Sequence, residues 1–178
     1  MKLLALICSI AIVSCSGVQR PAPSWDVASL AAIHGTAHAL VAIDDGAAAF
    51  YRARTDAIAA SDGGLRGSAY IAATAQLDTS FQTLVHDLGD TREALLLAEA
   101  LVRQAQAIAN TPSKCRAVVG LGVVTQDLAL LAEHSSVIGL HVDPSLALFA
   151  HQLSSIVSVD GAACVAAQDG GADEVNHE

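Results

Sequence analysis

Residues 90–109 read DTREALLLAEALVRQAQAIA, and their periodicity sets the fold class. Leu95, Ala98, Val102, Ala105 and Ile108 recur at spacings of three and four, which places them on one face of an α-helix. Ala, Leu, Glu, Arg and Gln fill most of the stretch, and these residues lose least on entering a helix. Asp90 stands three residues before Glu93, close to a capping box with Asp in place of Ser or Thr, so a helix start is predicted at Asp90. Asn110-Thr111-Pro112 predicts its end near Ala109.

Upstream, Tyr70, Thr74, Leu77, Phe81, Leu84 and Leu88 repeat the same spacing and predict a helix over 65–88, ended by Gly89. Ser61-Asp62-Gly63-Gly64 supplies turn chemistry before it. Earlier still, a long helix is predicted from Ser24, whose hydroxyl is placed to cap it, to about Ala60. Its inward stripe is read as Val27, Leu30, His34, Ala37, Val41, Asp44, Ala48, Tyr51, Thr55 and Ile58.

Downstream, Ser113 to Ile138 is the most apolar segment. Residues 117–124, AVVGLGVV, read locally as a strand, but Leu121, Val124, Leu128, Leu131 and Ile138 keep helical spacing, and Gly120 and Gly122 allow a neighbour to come close. Gln126 and Asp127 interrupt the run and argue against a membrane span. A loop at 139–142 precedes Asp143-Pro144, a cap followed by proline at the first turn. The last helix carries Leu146, Phe149, Leu153 and Ile156 inward, with a turn expected at Asp160-Gly161 and a disordered acidic tail over 169–178. The expectation is an all-α antiparallel bundle of four to five helices occupying residues 24–168.

The chain opens with Lys2 and an unbroken apolar run from Leu3 to Val13, the order of an export signal and too short for a span of roughly 20 residues. Directly after it, Ile12-Val13-Ser14-Cys15 resembles the lipobox of bacterial lipoproteins: a branched apolar residue, a small or branched one, a small one, then Cys. The resemblance implies that residues 1–14 are a cleaved signal and that Cys15 is acylated and becomes the mature N-terminus. The chain is then held to a lipid bilayer through those acyl groups. Residues 15–23 form a short tether, and Ser16 after the Cys tilts the expected location to the outer membrane, facing the periplasm. Cys8 fails the same pattern because Ile7 before it is bulky.

Loss of Lys2 leaves eight basic against eighteen acidic residues, a formal charge of −10 that repels phosphate backbones and argues against nucleic acid as a partner. Cys115 and Cys164 remain after Cys15 is assigned to lipid, and an oxidising envelope compartment favours their pairing in a disulfide. The alternatives are a catalytic thiol or a metal site. Neither cysteine lies in a CxxC or CxxCH arrangement.

His34 and His38, one turn apart, are a weak candidate metal pair, because Asp45 lies about 10 Å further along the axis and no HExxH pattern surrounds them. Asp44, inside the predicted stripe, needs a partner or solvent: exposure at a groove is the first reading, and a buried pair with Arg52, Arg54 or a histidine of another helix is the sharper alternative. His134, His141 and His151 fall in the C-terminal third, without a GxSxG nucleophile motif or a phosphate-cradling glycine loop. No metal, cofactor or catalytic residue is expected. The reading is a non-enzymatic interaction or scaffold lipoprotein with a protein partner in the envelope. A small-ligand or metal-binding lipoprotein and a hydrolase are the alternatives.

Overall fold

The computed structural model describes residues 24–61 and 67–169, and four helices account for nearly all of them. They are α1 (Trp25–Ala60), α2 (Ser68–Ile108), α3 (Thr111–Ile138) and α4 (Pro144–Asp169). The expected signal and tether (1–23), most of the turn after Ser61, and the tail beyond Asp169 lie outside the described residues.

Each helix packs on the next, and α4 closes back on α1, giving an up-down-up-down ring held by contacts between adjacent helices. Cross-helix pairs fix the antiparallel register: Tyr51 with Asp78 and Asp44 with Arg92 join α1 to α2, and Asp87 with His134 joins α2 to α3. Lys114 with Asp160 joins α3 to α4. Because α2 has 41 residues and α3 only 28, the first turns of α2 and the last turns of α1 project past the end of α3 as a two-helix arm. No residue of that arm is fully buried.

The helix expected to start at Asp90 is instead the second half of α2, which runs unbroken through Gly89. The stripe explains why. Tyr70, Thr74, Leu77, Phe81, Leu84, Leu88, Thr91, Leu95, Ala98, Val102 and Ala105 keep one phase across the glycine at alternating spacings of four and three. Everything in it from Leu84 onward is buried. Gly in a helix costs only about 1 kcal/mol relative to Ala, which burial of Leu88 and Leu95 on either side outweighs. A strict 3.5-residue repeat keeps such a seam facing its neighbours along the whole helix.

In α1 the predicted stripe has the wrong phase. Ser29, Ala32, Ile33, Thr36, Ala39, Leu40, Ile43 and Ala47 are buried, whereas Val27 and Val41 are 52% and 54% exposed and His34, Ala37 and Asp44 face outward. The true face contains Ser and Thr, which look unsuited to a core. Their hydroxyls donate to the carbonyls one turn back, Ser29 to Trp25 at 2.6 Å and Thr36 to Ala32 at 2.8 Å, so burying them leaves nothing unsatisfied. Tyr51, Thr55 and Ile58, which both phases share, are half-buried as expected. Ser24 sits at the N-cap position but makes no side-chain cap bond. The neighbouring Asp26 carboxylate accepts from Gln106 of α2 at 2.7 Å, and Ser24 and Gln106 together hold its pKa below the usual range.

Asn110 does more than stop α2. Its side chain accepts from Ser113 N at 2.9 Å, so α3 begins at Thr111, two residues before the expected start, with Pro112 in its first turn. The strand alternative for 117–124 is excluded, since the segment is helical throughout. Gly139 ends α3 at φ 78°, a left-handed conformation that suits glycine. Asp143 caps α4 as expected, accepting from Ser145 N at 2.7 Å. The expected turn at Asp160-Gly161 does not form. α4 continues to Asp169, because Lys114 of α3 holds Asp160 and Gly161 lies against Val118.

Candidate functional site

The outer side of α3 carries the candidate site. Its inner stripe, from Ala117 through Leu121, Val124, Leu128 and Leu131 to Ser135, is buried in the bundle, so the opposite side of the same apolar helix is left outside. Val119 and Val123 are 69% and 48% exposed there. Leu97 and Leu101 of α2 rise along one flank, and Val157 and Val165 of α4 along the other. Between them runs a groove of about 1040 Å³ in which, among the described residues, Arg116 is the single ionisable side chain.

Two features shape its floor. Gly120 lets α2 approach α3: a Cβ there would stand 2.9 Å from Leu101 Cδ1 and 3.6 Å from the Ala98 Cα. Gly122 is less constrained, with only Val157 nearby at 3.9 Å. At the end of the groove Cys115 and Cys164 meet with their Cα atoms 5.4 Å apart, within the range of an unstrained disulfide.

The remaining sequence-derived candidates do not converge. His34 is exposed and faces Glu99 of α2 at 3.4 Å, and His38 is exposed one turn on. Glu99 also accepts from Arg103 at 2.7 Å, and these two hydrogen bonds, Arg103 first, hold its carboxyl below the usual range. Asp44 is exposed and paired with Arg92 of α2 at 2.9 Å, not with Arg52, Arg54 or a histidine. His134 pairs with Asp87, whereas His141 lies in the α3–α4 loop and His151 is exposed on α4. Among the described residues, no three His, Cys, Asp or Glu side chains form a group able to hold a metal ion. Cys15 lies outside the described residues.

Asp127, on the α2-facing side of α3, is the carboxyl most out of place. Partial burial raises its pKa, and the nearby Asp90 and Asp87 raise it further. A smaller hollow of about 440 Å³, where the two-helix arm meets the end of α3, is lined by Arg54, Ile58, Leu77 and Ile138 among others.

No protein-family model, curated protein or solved structure matches this chain.

The groove residues escaped the sequence reading, although a signal for them was present. A helix apolar on two opposite faces has one face more than a core of this width uses, and Val119 and Val123 belong to the second.

Proposed function

We propose that the protein is a lipid-anchored envelope module that binds a protein partner and does no chemistry of its own. The observation that carries this reading is the groove over α3: a large apolar surface lined by Leu97, Leu101, Val119, Val123, Val157 and Val165, with one charge and no converging acid, base or nucleophile among the described residues. Large exposed apolar patches mark protein or membrane interaction sites and ligand grooves, whereas an active site adds convergent polar or titratable groups. The lipobox-like Ile12–Cys15 supports the anchor, placing the bundle at the bilayer through acyl groups on Cys15, on the periplasmic face of the outer membrane.

By length and mean hydropathy, α1, α3 and the Pro144–Ala166 part of α4 are each apolar enough to cross a membrane. Ion pairs such as Arg92 with Asp44 and Arg103 with Glu99 lie on the outside of the bundle, where hydrocarbon would penalise them heavily. That favours attachment through lipid over a bundle embedded in the bilayer.

The experiment has two arms. Replacing Cys15→Ser should abolish acyl labelling and release the domain from membranes. Retention after an alkaline carbonate wash would instead assign the attachment to the helices. In the second arm, Val119→Asp or Val123→Asp should abolish recovery of the partner captured by the wild-type chain from its native envelope. Unchanged recovery would reject the groove as the docking surface.

A further inference from the structure

From Pro112 to Val137 the outer face of α3 repeats at alternating spacings of four and three residues, a second heptad seam back to back with the core one. Val119, Val123, Leu130 and Val137 on it are 69%, 48%, 43% and 74% exposed. Its polar members are Gln126 at the centre, Arg116 towards one end and Glu133 towards the other. Neither Arg116 nor Glu133 forms an ion pair among the described residues.

We propose that this seam binds a second copy of the chain, α3 against α3 and antiparallel, about a twofold axis passing between Val124 and Thr125. The inference rests on reading the protein as an interaction module and names the occupant of its apolar face. Its ground is that the seam is self-complementary only in this alignment. Reversing the helix about that axis sets Pro112 opposite Val137 of the second copy, Val119 opposite Leu130, and Val123 opposite Gln126. It also sets Arg116 opposite Glu133, and the twofold makes that ion pair twice. A parallel alignment would face Arg116 with Arg116 and Glu133 with Glu133, which charge repulsion opposes.

The neighbouring helix fits the same axis. Asp87 of α2 lies beside His134 of α3, and Leu101 beside Gly120, so Leu97, 60% exposed, stands level with Val124 and flanks the twofold with an apolar side chain. The arrangement puts the two Ser24 ends at opposite ends of the dimer. With both chains anchored, the helices then run along the membrane surface.

The test is sedimentation of the full chain extracted in mild detergent, over a range of micromolar concentrations. Wild type should dimerise. Arg116→Glu and Glu133→Arg, both on the surface and without effect on helical content, should each weaken the dimer about tenfold or more by opposing like charges at two symmetric sites. The double variant R116E/E133R should restore it to within about threefold of wild type, because the charges are exchanged and not lost. A wild type that stays monomeric, single variants that dimerise normally, or a double variant as weak as the singles would each overturn the proposal. A monomeric wild type that still captures an envelope protein through Val123 would overturn the dimer while leaving the interaction module standing. A dimer that captures nothing else would do the reverse.

Discussion

The ring of Phe149 on α4 lies against the backbone of Gly35 on α1, with three ring carbons 2.3 to 2.7 Å from where a Cβ at residue 35 would stand. This contact joins the last helix to the first and closes the four-helix ring. Gly35→Ala therefore should destabilise the fold by about 1–3 kcal/mol, despite the better helix propensity of Ala, since the ring and backbone must separate. Chemical denaturation measures it. Pairing the change with Phe149→Ala should cost less than the two single effects added, because the clash is gone.

Gly89 and Gly46 are the counter-example. A Cβ at either meets nothing within 4 Å, and both lie inside continuous helices. Gly89→Ala should stabilise the protein by about 0.5–1 kcal/mol. A loss of stability would show that the chain turns at Gly89, contrary to an unbroken α2.

Cys115 and Cys164 are expected to be oxidised in the exported protein. Denatured without reductant, the purified chain should then offer no maleimide-reactive thiol from this pair. Closing a loop of this length is worth up to about 4 kcal/mol in the chain-entropy model. Reduction should lower the unfolding midpoint while leaving most of the far-ultraviolet helical signal, since the Leu- and Ala-rich stripes hold the helices together.

Asp127 sets a pH dependence with a definite sign. Its pKa is raised in the fold, by burial first and by Asp90 and Asp87 second, so the folded state holds that proton more tightly than the unfolded chain. The ionised carboxylate is therefore a destabilising element whose cost grows as pH rises from the unfolded pKa of about 4 through the raised value. Asp127→Asn should raise the thermal midpoint at pH 7, and the gain should vanish below pH about 4. A gain that is independent of pH would assign the effect to packing instead.

His34 and His38 should not bind zinc usefully. Both are exposed, and among the described residues no third ligand joins them. Calorimetric titration should detect no submicromolar site. A tight site lost in the double variant His34→Ala, His38→Ala would contradict this.

Sequence periodicity alone determined that this is an all-helical bundle, and its Leu-rich stripes located most inward residues of α2, α3 and α4; Ile108, expected inward, is 48% exposed in the last turn of α2. The pairing of Cys115 with Cys164 was expected from a different ground, two cysteines left over in an exported chain, and the bundle brings their Cα atoms to 5.4 Å. The tertiary structure decided the rest. In α1, two phases satisfy the three-four spacing, and only packing selects the one containing Ser29 and Thr36, whose hydroxyls bond back to their own helix. Local cap and turn signals at Gly89-Asp90 and Asp160-Gly161 lost to long-range contacts, because a glycine costs about 1 kcal/mol in a helix while a buried leucine returns about 2. The groove over α3 is likewise a property of assembly: Val119 and Val123 are as apolar as Val118 and Val124, and which of them face outward depends on where α2 and α4 come to rest.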